Sequence, residues 1–126
     1  MPRVPPPLIL AYHGVADVPA HEDREGLFIS PRELKDQIRQ LRRWGYDFLT
    51  FGAMAERVAA GAGAGHVALT FDDGLLDNLD QLVPILRDCD VAATTFVTTG
   101  WMGKPPAGRD EPVSYTHLTL PTIYSV

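Results

Sequence analysis

Cysteine is almost missing from this chain: Cys89 is the only one. A single thiol excludes a disulfide framework and a cysteine-based zinc cluster within one chain. Cys89 falls at the expected end of a helix among apolar neighbours, so it reads as a small core residue, not a reactive thiol. Long apolar runs are missing too. Nothing approaches the ~18 consecutive apolar residues that a membrane span needs. The proline-rich start, Met1 to Pro7, is followed by an apolar stretch, Leu8 to Ala11, too short to be the core of a signal peptide. The chain as written is therefore expected to be cytoplasmic. Positive charge is scarce: 11 Lys and Arg stand against 16 Asp and Glu, a formal net charge of −5. That balance gives a nucleic-acid partner little support. The run Gly61-Ala62-Gly63-Ala64-Gly65 has glycines at phosphate-loop spacing but no lysine after it. It also precedes a strand, where a phosphate loop follows one and opens a helix.

What is present suits one globular domain: 126 residues, 45% hydrophobic and 21% charged. Leu8 to His13 reads as a buried strand stopped by Gly14. Residues 16–27 are polar and form a loop. Ser30-Pro31-Arg32-Glu33 announces a helix, with Ser30 as cap, Pro31 at the first position and Glu33 completing a capping box. Leu34, Ile38, Leu41 and Trp44 share its apolar face, and Gly45 stops it. Tyr46 to Thr50 is a short second strand. A second helix is expected over 52–60, with Met54 and Val58 inward. The third strand is Val67 to Phe71. A third helix is expected over 76–88, its face Leu79, Leu82, Val83 and Leu86, bent or restarted by Pro84. Val91 to Val97 is a β-branched fourth strand. This β-α-β-α-β-α-β order implies an α/β fold of parallel strands with covering helices, in an open sheet or a barrel.

In such folds the reactive groups gather at the C-terminal ends of strands. His13 ends the first strand, Asp72 and Asp73 the third. Thr98 and Thr99 follow the fourth. Two adjacent carboxylates repel each other, so an apolar strand ending in Asp72-Asp73-Gly74 needs a reason. One acid can bind a cation while its neighbour takes a proton from bound water, whose pKa the cation lowers. Gly74 permits the sharp turn beside them. The plainer alternative is a turn at Asp73-Gly74 with Asp72 as a helix cap. His21 and His66 sit in a loop and at a strand start, and read as solvent-facing or structural.

Thr70-Phe71-Asp72-Asp73-Gly74 resembles the first signature of the polysaccharide deacetylase family, carbohydrate esterase family four. Leu10-Ala11-Tyr12-His13-Gly14-Val15 looks like that family's opening strand. The helix to Trp44 with Gly45 to Thr50, and Asp77-Asn78, Pro84 to Leu86 and Val91 to Val97, are similar to the segments around the signature. The resemblance covers residues 8–103. It implies a distorted (β/α) barrel, present here as an incomplete N-terminal part, and metal-dependent hydrolysis of an N-acetyl or O-acetyl group on a polysaccharide. By the motif, Asp72 would be the general base and Asp73 the ligand of a divalent metal, zinc by family expectation. His13 would be a candidate substrate contact, with a core or hydrogen-bonding role as its alternative.

The chain departs from the family after the fourth strand. The histidine pair that supplies two further metal ligands is absent, and His117 stands alone. The later signatures, with the arginine that holds the base and the histidine general acid, are absent too. A catalytic zinc site needs three protein ligands, and the motif supplies one. Residues 1–103 are therefore expected to form a partial deacetylase domain, and the isolated 126-residue chain is expected to be marginal, aggregation-prone and inactive. Residues 104–126 are expected to be a loop and a non-native tail, since Ser114 to Val126 is almost uncharged and resembles translated adaptor sequence. Two other functions compete. One is a barrel of the same fold that binds carbohydrate without catalysis. The other is an aspartyl-nucleophile phosphatase, which the direct adjacency of the two acids disfavours.

Overall fold

A computed structural model of the chain describes residues 3–72 and 78–96. Its elements run β1 (Leu8–Tyr12), β2 (Gly14–Val15), β3 (Phe28–Ile29), α1 (Pro31–Arg43), β4 (Asp47–Leu49), α2 (Phe51–Ala59), β5 (His66–Phe71), a π-helical turn (Asn78–Leu82), α3 (Val83–Cys89) and β6 (Thr94–Thr95). All strand pairings are parallel. The central strand is β5. Along its whole length it pairs with β1, from Leu8 opposite Val67 to Tyr12 opposite Phe71. Its other edge is divided: β4 takes residues 66–68 and β6 takes residues 70–71. This is the parallel α/β architecture expected from the alternation of strand and helix signals.

Side-chain alternation along β5 builds the core. Val67, Leu69 and Phe71 are fully buried and cluster with Leu34, Ile38 and Leu41 of α1 and with Ile85 and Leu86 of α3. The α1 helix forms where its caps dictate. The Ser30 hydroxyl accepts from the Glu33 N–H, and Pro31 occupies the first turn. Gly45, at φ +90°, donates its N–H to the Arg42 carbonyl, and Tyr46 donates to Leu41, closing the C-terminus.

Several expectations need correction. The first strand is not buried on both faces. Leu8, Leu10 and Tyr12 pack toward the helices, but Ile9 points to the opposite face of the sheet and is 52% exposed. Trp44, expected on the buried face of α1, is instead its C-cap, 61% exposed at a groove lined by Leu8, Leu10 and Leu41. Met54 of α2 is fully buried, whereas Val58 is half exposed. Its methyl faces the glycine run at Gly63, which offers no side chain to bury against.

The third helix does not run as one piece. Pro84 has no N–H to give to the carbonyl of Asp80, so the turn before it widens to π geometry and α3 restarts with Pro84 in its first turn. Leu82, Ile85 and Leu86 are buried and Val83 is half-buried. The fourth strand narrows to Thr94–Thr95 because β4 already pairs with β5 at residues 66–68 and β5 ends at Phe71. Cys89 is half-buried and packs against the core.

The pairing of β2 with β3 was not legible in the sequence. It brings Gly14 under the Phe28 ring, where a Cβ would stand 2.5 Å from two ring carbons. The Asp23 carboxylate accepts from the Leu27 and Phe28 N–H groups and so ties the loop at residues 16–27 to this pair. Among the described residues no helix is long and apolar enough to cross a membrane.

Candidate active-site rim

The rim at the C-terminal end of the sheet is fixed by the register of three strands. Tyr12, Phe71 and Thr95 are opposite one another across β1, β5 and β6. The next residues are His13, Asp72 and Phe96. Two backbone bonds carry the alignment one step past the strands. The Asp72 N–H donates to the Tyr12 carbonyl at 2.9 Å, and the Phe96 N–H donates to the Phe71 carbonyl at 2.8 Å. Neighbouring strands lie ~4.8 Å apart, so Asp72 has His13 on one side and Phe96 on the other. Both His13 and Asp72 are half-buried.

The layer beneath this row is held by side chains. Thr70, only 5% exposed, donates its hydroxyl to the Leu10 carbonyl at 3.0 Å, locking β5 to β1. Tyr12 stacks on Phe71 with ring centroids 5.0 Å apart and donates its hydroxyl to Gln37 Oε1 at 2.7 Å. Burial pushes the Tyr12 hydroxyl above the ordinary tyrosine value. On the far side, the Thr94 hydroxyl accepts from the Phe51 N–H at 2.9 Å, and Thr50 caps α2 by accepting from Ala53. Phe51 thereby meets Phe96 edge to face, with centroids 5.5 Å apart and an interplanar angle of 80°.

The structure thus brings together two of the sequence-derived site residues, His13 and Asp72. Asp73, Gly74, Thr98, Thr99 and His117 lie outside the described residues. His21 stands on the surface beside Glu22, and His66 points its Nδ1 at the Gly63 and Ala64 carbonyls. The sequence reading missed Phe51, Phe96 and Thr94. The signal for Thr94 was a hydroxyl in a strand pattern; for Phe96 it was an aromatic residue within the same pattern, and for Phe51 an aromatic residue directly after a strand signal.

Among the described residues no group of three His, Cys, Asp or Glu side chains is placed to hold a metal ion. His13 and Asp72 alone do not make a zinc site, which requires three protein donors. A carboxylate on a residue next to a histidine in register, at the open end of a parallel sheet, can instead accept a proton from water or orient a polar substrate.

A family model described as polysaccharide deacetylase matches residues 59–117, which include the whole Thr70 to Gly74 signature. No curated protein is similar enough in sequence to count as a match. Among solved structures, the chain is similar to the Streptococcus pyogenes deacetylase PplD in complex with acetate, with 26% identity and a TM-score of 0.67 over 94% of this chain and 51% of that one. It is similar to IcaB from Ammonifex degensii, with 29% identity and a TM-score of 0.70 over 90% of this chain and 47% of that one. It shares the fold of BC0361, a polysaccharide deacetylase from Bacillus cereus, at 23% identity and a TM-score of 0.60 over 88% of this chain and 34% of that one. The chain spans about half the length of the first two. Its strands and helices correspond to part of a deacetylase (β/α) barrel, and the chain is similar to polysaccharide deacetylases in both the matched segment and these structures.

Proposed function

We propose that this protein hydrolyses acetyl groups from an N-acetylated or O-acetylated polysaccharide, with the Asp72 carboxylate as general base and His13 as a contact to the substrate. The observation that carries the reading is the place of Asp72: first residue past the central strand, pinned by its own N–H to Tyr12, beside His13. The matched signature supports the same role for it.

The chemistry follows from that position. A water above the rim gives a proton to Asp72 as its oxygen bonds to the acetyl carbonyl carbon. The carbonyl electron pair moves onto oxygen, then returns as the bond to the sugar nitrogen or oxygen breaks. The departing atom gains a proton, so one water is consumed, and acetate and a free amine or hydroxyl result. A positioned base contributes about 10²- to 10⁴-fold to such a step.

The family chemistry calls for a divalent ion, and zinc is the ion we propose, with Asp73 as its carboxylate ligand. The described residues do not complete a site for it, so the role of Asp72 is argued from its position without any step through a metal. We propose further that the 126-residue chain is inactive by itself, for want of the remaining donors.

The same observation favours a second reading, a carbohydrate-binding barrel without catalysis. Acetate release and oligosaccharide binding, measured on the product of the uninterrupted gene with N-acetylglucosamine oligomers, separate the two. Release with binding supports the hydrolase. Binding with no release under any divalent metal overturns it.

A further inference from the structure

We infer that Phe51 and Phe96 form a stacking subsite for a pyranose ring, directly beside the proposed base. The choice of a sugar as occupant rests on the deacetylase reading; the existence of the platform rests on geometry.

Three observations point to it. First, both rings keep free surface after meeting each other: Phe51 is 37% exposed and Phe96, which follows the fully buried β6, is 39% exposed. Here two partly exposed rings are in contact with each other, so their free surface is joined and not scattered singly. Second, the rings lie at the reacting end of the fold. Phe96 extends β6 at the register position of Asp72, one strand spacing away, about 5 Å. A sugar laid on this pair holds its substituents within reach of the Asp72 carboxylate. Third, both backbones are locked before any ligand arrives. The Phe51 N–H is held by the buried Thr94 hydroxyl, and the Phe96 N–H by the Phe71 carbonyl. A preorganised surface loses little freedom on binding.

The ligand chemistry fits the rings. A pyranose has an apolar face of axial C–H bonds, whose hydrogens are slightly positive. The face of an aromatic ring is negative, and C–H contacts to it are weakly attractive. An edge-to-face pair leaves ring surface for such a contact while each ring braces the other. Neither Phe51 nor Phe96 carries a group that takes part in proton transfer, so this subsite binds and orients without reacting.

The test is saturation-transfer NMR of the 126-residue chain with N-acetylglucosamine oligomers, comparing it with Phe51→Leu and Phe96→Leu. Leucine keeps apolar bulk and removes the flat face. Circular dichroism of each variant confirms that the fold is kept, and Val58→Leu, distant from the rim, serves as a control. We expect saturation of the ring C–H protons of the sugar in the unaltered chain, and binding about threefold to tenfold weaker in each leucine variant, the range expected for one aromatic contact. Absence of binding by the folded, unaltered chain overturns the proposal, and so does binding that both leucine variants retain in full. Failure of the hydrolase reading looks different: sugar binding that depends on the two rings, with no acetate released by the complete gene product.

Discussion

Replacing Thr70 by valine removes one hydroxyl from beneath the rim and almost nothing else. The side chain is 5% exposed, and its Oγ1 donates to the Leu10 carbonyl at 3.0 Å. Valine has the same shape, so no cavity opens. The Leu10 carbonyl loses a donor it cannot replace with water, while the protein is spared the burial of the hydroxyl. A hydrogen bond of this kind is worth about 0.5–1.5 kcal/mol net, so the expected loss is about 1 kcal/mol. In a domain of 60–100 residues a loss of 1 kcal/mol lowers Tm by about 4–8 °C. Thr70→Ser keeps the donor and loses a buried methyl, which costs about 0.8 kcal/mol by itself. The two variants should therefore melt a few degrees below the parent for different reasons, and Thr70→Ala should lose about the sum. Thermal melts followed by circular dichroism, with urea titrations as a check, measure all three. A valine variant that melts at or above the parent temperature would show that the bond between β5 and β1 does not brace the rim.

Other outcomes follow from the same structure. Ile38→Ala, at a fully buried position of α1, should cost about 2–5 kcal/mol and melt the helix layer, whereas Trp44→Gln, at an exposed position one helical cap away, should change stability by under about 0.5 kcal/mol while reducing aggregation; urea midpoints and light scattering read both. Burial raises the Tyr12 pKa, so the folded state holds this proton more tightly than the unfolded chain does. That contribution to stability is complete below the ordinary tyrosine value of about 10 and is lost as pH climbs past it. Urea midpoints between pH 8 and pH 11 should fall less steeply for Tyr12→Phe than for the parent. Deleting residues 114–126 should leave the melting temperature within error of the full chain, since that segment was read as foreign to the domain; a drop of several degrees would make it part of the fold. The 126-residue chain should release no acetate with zinc, cobalt or no added metal, and metal-dependent turnover by it would contradict the proposed shortage of ligands.

The parts of this fold that were legible in the sequence are those where local chemistry and tertiary packing agree. Ser30-Pro31-Arg32-Glu33 fixes a helix start by capping alone, and α1 begins at Pro31. Val67 to Phe71 is buried at every position, apolar except for Thr70, because β5 is the central strand, flanked on both edges. The misreadings share a cause. Trp44, Val58 and Ile9 are apolar residues at positions whose exposure depends on what lies opposite, and periodicity carries no information about the opposite surface. The π-helical turn before α3 was half legible: Pro84 announced a fault, but not that one widened turn would absorb it. At the site, the strand-end rule placed His13 and Asp72 on one rim without any knowledge of register. The register then added Phe96, which the sequence showed only as one more aromatic residue in a strand. Phe51 was invisible for a different reason: its place depends on the Thr94 hydroxyl, 43 residues away.

A carboxylate used as a base can be tested by removing its charge and keeping its shape. In the product of the uninterrupted gene, Asp72→Asn should lower kcat for acetate release by about 10²- to 10⁴-fold and leave the affinity for N-acetylglucosamine oligomers within twofold. Turnover within tenfold of the unaltered protein, at unchanged affinity, would mean that Asp72 is not the group that takes the proton.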